Sequence, residues 1–206
     1  MAAALHRKGW AVFRLGDAES ALSLGGEALG LGRVIEDWKV QADSLNLLSA
    51  IHNRTGAYDR AAACMKEALA LFQEAGYRRG EAVMLGNLGN TAYLQGAYER
   101  AAGRYREGLA LARQIGHRYT ETLCLNNLGG ALVAVEAYEE ARACLEQVLE
   151  MPESEKWFLL PDTCCYLAEA RLALDELDGA LAAARKLLRA VRMREEAAPA
   201  YEGAAW

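Results

Sequence analysis

The chain copies itself every 40 residues, and this period constrains the fold more than any other feature. GAYDRAAACMKEALALFQEAG, starting at Gly56, and GAYERAAGRYREGLALARQIG, starting at Gly96, share 11 of 21 positions. EAYEEARACLEQVLEM follows from Glu136, GDAESALSLGGEALGLG precedes from Gly16, and DELDGALAAARKLL begins at Asp175 after a step of 39. A period of this size belongs to stacked units, each packing on its neighbours rather than around one central core. The 206 residues therefore read as one array over 1–195 followed by a tail over 196–206. The units fall at about 1–34, 35–76, 77–116, 117–152 and 153–195.

Certain positions barely change between copies. Counted from the anchors Gly16, Gly56, Gly96, Glu136 and Asp175, offset +5 is always Ala, from Ala21 to Ala180. Offset +13 is always Leu, from Leu29 to Leu188. Offset −7 is always tiny: Gly9, Ser49, Gly89, Gly129, Ala168. Before each anchor, offsets −11, −8, −7 and −4 form the apolar stripe of an amphipathic helix. A second helix follows each anchor, so each unit is a helix hairpin, and the tiny residues let its two helices approach closely. The composition agrees, because Ala and Leu dominate while aromatics are 8% and prolines number three. First helices are expected over about 2–15, 36–54, 79–95, 119–135 and 155–174. Second helices are expected over about 18–32, 58–75, 98–115, 138–150 and 177–195. The anchor glycine suits a left-handed helix C-terminus. Glu136 and Asp175 replace it, so those two turns are expected to differ. Gly25 takes the place of Met65, Tyr105 and Leu145 in the first second-helix, which predicts a loose first repeat.

The small–Tyr–Ala–Leu pattern, in runs such as LGNLGNTAYLQGAYERA and LNNLGGALVAVEAYEEA, resembles the tetratricopeptide repeat. The 40-residue spacing is similar to the variety found in kinesin light chains and in the C-terminal arms of bacterial signal-transduction regulators. The resemblance implies an all-α fold, a right-handed α-solenoid of five antiparallel helix hairpins, with the first helices lining a concave groove. It also implies a non-catalytic protein–protein interaction module that grips a peptide or a partner helix, within a larger cytoplasmic, bacterial regulatory protein. The other readings are an effector-sensing arm of a transcriptional or ATPase regulator, and an oligomerisation scaffold self-associating through open ends.

The resemblance places Trp10, Arg14, Arg54 and Tyr93 on the groove. The asparagines stand out independently. All six (Asn46, Asn53, Asn87, Asn90, Asn126, Asn127) fall within expected first helices, although Asn disfavours helix interiors. Each amide offers a donor and an acceptor, so a row of them suits pairing with the backbone of an extended peptide. Asn87 and Asn127 alternatively bridge neighbouring helices. Lysines that would clamp a chaperone C-terminal carboxylate are replaced by His6, Asn46, Gly86 and Asn126. Trp38 and Trp157 share one offset and either mark a contact surface or cover a hairpin edge.

Other functions find little in the chain. A net charge of −5 argues against phosphate-tracking nucleic-acid binding. The longest uncharged stretch, Thr122 to Val135, is too short to span a bilayer. His6, His52 and His117 are widely spaced, and no P-loop or H-E-x-x-H run exists. The five cysteines form no C-x-x-C pair and read as reduced, largely buried thiols. No catalytic residue, metal or cofactor is expected.

Overall fold

A computed structural model describes residues 1–152 and 158–202. Among the described residues it is all helix and turn, with ten helices. In chain order these are α1 (Ala2–Arg14), α2 (Ala18–Val34), α3 (Trp38–Arg54), α4 (Tyr58–Glu74) and α5 (Arg78–Leu94). They continue with α6 (Tyr98–Gln114), α7 (Arg118–Ala134), α8 (Tyr138–Glu150), α9 (Leu160–Ala173) and α10 (Leu177–Glu202). The first compact unit, Met1–His117, holds α1 to α6, and the second begins at Arg118. The expected boundaries hold within a few residues except at two places. The helix expected from 155 starts at Leu160, with Pro161 in its first turn, where a missing N–H leaves no intrahelical bond unmade. Helix α10 runs on to Glu202, past the end expected at 195.

The turns explain the regularity. Gly16, Gly56, Gly76, Gly96 and Gly116 all have positive φ, and so do Glu36 (54°), Glu136 (61°) and Asp175 (59°). At each, the N–H of the left-handed residue and the one after it donate back into the last helical turn. Asp17 N–H reaches Val12 O at 3.3 Å, Ala137 N–H reaches Leu132 O at 2.9 Å, and Glu176 N–H reaches Arg171 O at 2.8 Å. These are Schellman closures. The residue after the left-handed one serves as the N-cap of the next helix, so three residues suffice to end one helix and start another. The expectation that Glu136 and Asp175 make different turns is therefore corrected. The closure imposes the left-handed backbone, and both side chains are exposed, so only backbone strain opposes them.

The tiny offset −7 residues do what their size requires. A Cβ on Gly89 would lie 2.5 Å from the Tyr105 ring of α6, and one on Gly129 would lie 2.5 Å from Leu145 of α8. In the first hairpin, where Gly9 faces a helix carrying Gly25, α3 fills the gap. Leu47 and Leu48 come within 3.4 Å and 3.0 Å of a Cβ placed on Gly25, and Leu47 is fully buried. The packing of the first repeat is thus closed from the second, and it is not left loose. Further along, Leu29, Leu45, Leu48, Phe72 and Met84 form one continuous cluster through α2 to α5. Trp38 packs its ring against Phe72 at 6.1 Å and Tyr77 at 6.0 Å, capping this cluster at the hairpin edge. Trp157 lies outside the described residues.

Gly89→Ala and Gly103→Ala should have opposite signs in chemical denaturation. Nothing lies within 4 Å of a Cβ on Gly103, so Ala gains up to about 1 kcal/mol of helix propensity there. At Gly89 the overlap with Tyr105 should cost about 1–3 kcal/mol and outweigh that gain. Glu136→Gly should stabilise by about 1 kcal/mol, because it relieves the left-handed strain and removes no buried contact.

Candidate functional site

The six asparagines do lie on first helices: Asn46 and Asn53 on α3, Asn87 and Asn90 on α5, Asn126 and Asn127 on α7. Their side chains work at the seams of the helix stack. Asn87 Nδ2 donates to Asn46 Oδ1 at 3.1 Å, joining α5 to α3. Asn53 Nδ2 donates to Thr91 Oγ1 at 3.0 Å, again between those two helices. Asn90 Oδ1 accepts from the buried Tyr105 hydroxyl at 2.8 Å, inside the α5–α6 hairpin. In the second compact unit, Asn126 accepts from Thr163 Oγ1 at 2.7 Å and donates to Asn127 Oδ1 at 3.2 Å. Asn126 is 2% exposed, so it is a buried amide satisfied on both sides.

The Asn46–Asn87 pair is half-buried, like Asn53, Asn90 and Asn127, and it joins two side-chain amides across helices. Its single bond uses the Asn46 carbonyl and the Asn87 amino group. Asn46 Nδ2 and Asn87 Oδ1 make no hydrogen bond with the described residues, and neither is a buried orphan. One donor and one acceptor therefore sit side by side, the same complement a peptide backbone unit presents.

The other expected groove residues divide. Arg54 is occupied: its Nη1 donates to Phe13 O at 2.8 Å and its guanidinium lies 3.7 Å over the Phe13 ring. It thereby ties the end of α3 to the end of α1. Trp10 donates from Nε1 to His6 Nε2 at 2.9 Å and meets Phe13 edge-on at 5.7 Å. Arg14 is exposed beside this cluster. Tyr93 packs edge-on against Tyr98 at 5.1 Å.

Burial lowers the pKa of His6, with Asp43 opposing the shift, and the same burial raises the Asp43 carboxyl. Burial also lowers His52 and His117, helped by Arg60 and Arg79 respectively. The Cys124 thiol, deep in α7, is pushed up to about 12 by burial, which makes it inert at neutral pH.

One polar cluster escaped the sequence reading. Arg171 occupies offset −4, a seat filled by the apolar Val12, Ala92 and Leu132 in three repeats and by His52 in the second. It donates to Glu146 at 2.7 Å and to Gly179 O at 3.1 Å, while Arg142 pairs with Glu176. The network ties α8, α9 and α10 together. An arginine at offset −4, where the other copies carry Val, His, Ala and Leu, was the available signal.

Helix hairpins closed by identical turns and packed on their sequence neighbours define a helical-repeat protein. A family model, tetratricopeptide repeat, matches residues 40–114 and 81–154. The chain belongs to the tetratricopeptide repeat family. No relative is found among the curated proteins. Among solved structures the chain is similar to BtubC (BKLC) from P. vanneervenii, at 23% identity and a TM-score of 0.79, over 91% of this chain and 78% of that one. It is similar to the apo form of RapI, at 19% identity and a TM-score of 0.86, over 95% and 72%. It is also similar to a Rap protein complexed with competence and sporulation factor, at 13% identity and a TM-score of 0.69, over 93% and 64%.

Thr163→Val should destabilise the chain by about 1–3 kcal/mol in denaturant titration, because it strands the buried Asn126 carbonyl. A pH series tests the histidines. Their folded pKa values lie below the ordinary 6.5, so the unfolded chain takes up protons first as pH falls. The thermal midpoint should therefore fall as pH drops below about 6.5, and His6→Gln should make that fall shallower. The raised Asp43 works in the opposite sense, its folded form holding a proton more readily than the unfolded one.

Proposed function

We propose that this protein is a non-catalytic interaction module that binds an extended segment of a protein partner along its first helices. The half-buried Asn46–Asn87 pair carries the reading. A peptide bond laid over it gives its carbonyl to Asn46 Nδ2 and its N–H to Asn87 Oδ1. Such contacts grip backbone and ignore side-chain identity. Asn53 and Asn90 hold the same face in place from within the seams. Trp10, Arg14, Arg54 and Tyr93 supply aromatic and cationic contacts that give a partner its preferred side chains. In the second compact unit Asn126 positions Asn127, which takes the partner-facing role there. Family membership supports the reading, as does the fold shared with a Rap protein crystallised with competence and sporulation factor. We further infer that the module belongs to a larger regulatory protein of the bacterial cytoplasm.

Peptides selected from a random display library against the full chain provide the test. Binding of the enriched peptides should weaken by about tenfold or more in Asn46→Ala/Asn87→Ala, the loss of two hydrogen bonds at about 1 kcal/mol each. The thermal midpoint of that variant should stay within a few degrees of the parent, since the pair is half-exposed. Equal binding to parent and variant would remove the amide pair from the site.

A further inference from the structure

A cavity of about 400 Å³ opens between α4, α5 and α6, with no asparagine in its lining. Three helical stripes line it. Asp59, Ala62, Ala63 and Lys66 come from α4, and Leu88, Thr91, Ala92 and Gln95 from α5. Arg100 and Arg104 come from α6. The i, i+3, i+4, i+7 spacings on α4 and α5 turn one whole face of each helix toward it. Its volume falls within the range of small-molecule sites, about 300–1,000 Å³.

The charges around it are unequal. Asp59 is engaged: Gln95 Nε2 donates to its Oδ1 at 3.1 Å, and Arg100 donates in turn to Gln95 Oε1 at 2.7 Å. This chain fixes the Arg100 guanidinium at the rim. Arg104 meets Glu107 at 2.8 Å, but both side chains are about half exposed, so the pair is easily exchanged for another anion. Lys66 makes no hydrogen bond or ion pair with the described residues and lines the cavity from the opposite helix. The floor is apolar, from Leu88 and Ala92.

Packing does not require these cations. One repeat earlier, the places of Lys66, Arg100 and Arg104 are taken by Gly26, Arg60 and Cys64. One repeat later they are taken by Arg106, Glu140 and Cys144, so each seat varies and only this step of the stack carries all three cations together. The geometry points to a binding site for a compact dianion, a phosphate monoester or a small dicarboxylate, held between Lys66, Arg100 and Arg104 with its carbon body on Leu88 and Ala92. Two guanidinium forks and one ammonium carry three positive charges, and the Asp59 carboxylate offsets one of them, which leaves two to meet the two oxyanion charges.

Calorimetric and thermal-shift titrations of the full chain with inorganic phosphate and with succinate, at ionic strength matched by NaCl, test the site. Saturable binding and a rising midpoint are expected with at least one. Lys66→Met and Arg104→Met should each weaken it about tenfold or more, while the exposed Lys8→Met leaves it unchanged. The unliganded midpoints of these surface variants report that the fold is intact. Phosphate binding alone assigns a phosphate ester, and succinate binding alone assigns a dicarboxylate. No saturable response to either at about 10 mM would overturn the proposal. An equal response in Lys66→Met and Arg104→Met would overturn it too.

Discussion

The structure depends on one backbone device, the three-residue turn whose middle residue is left-handed. It recurs at residues 16, 36, 56, 76, 96, 116 and 136, a spacing of 20, and again at 175. Most helices between these turns are 17 residues long, so helix and turn together make the half-period. Because each turn closes with the same hydrogen bonds, the ends of the helices recur at fixed places in each copy. A given offset then meets the same surroundings in every copy. The invariance of Ala at +5 and of tiny residues at −7 follows from that geometry.

Close approach is the second constraint, and it works by exchange of volume. Where the second helix offers Tyr105 or Leu145, the facing residue is Gly89 or Gly129, and its missing side chain is the space the larger one occupies. Where both facing residues are glycine, as at Gly9 and Gly25, Leu47 enters from the next helix. Density is therefore conserved across a pair of neighbouring hairpins rather than within each one. This is the sense in which a repeat array has a continuous core.

These rules decide what was legible in the sequence. The period, the hairpins and most helix boundaries could be read because they rest on spacing that the turn enforces. The left-handed Glu36, Glu136 and Asp175 could not, since residue type argued against the conformation and only the closure of the turn demands it. The asparagine partners were hidden for a different reason. Asn46 and Asn87 are 41 residues apart, Asn53 and Thr91 are 38 apart, and Asn126 and Thr163 are 37 apart. Seam partners depart from the 40-residue register in both directions, even between the same two helices, so comparison at equal offsets misses them. That the asparagines belong to first helices, and that Asn87 could bridge to a neighbouring helix, was legible; the partners across the seams, and the stitching by Asn53, Asn90 and Asn126, were not.

An array whose packing is set by repeated residues leaves specialisation to the offsets that vary. Gly26 and Lys66 are equivalent, as are Cys64 and Arg104, yet the helices carrying them run alike. A substitution at such a place changes charge at a chosen step of the stack and leaves hairpin geometry alone. Arg171 shows the limit of that freedom. It sits on the apolar stripe itself, and its charge is accommodated only by the carboxylates of Glu146 and Glu176 nearby. Positions off the stripe carry no such obligation. Within the first compact unit the two proposed sites obey this division. The amide pair lies where the first helices α3 and α5 meet, and the cationic cavity lies between α4, α5 and α6. Thr91 connects the two regions, since it lines the cavity and bonds Asn53 across the α3–α5 seam, so packing residues fix the places from which the variable offsets reach out.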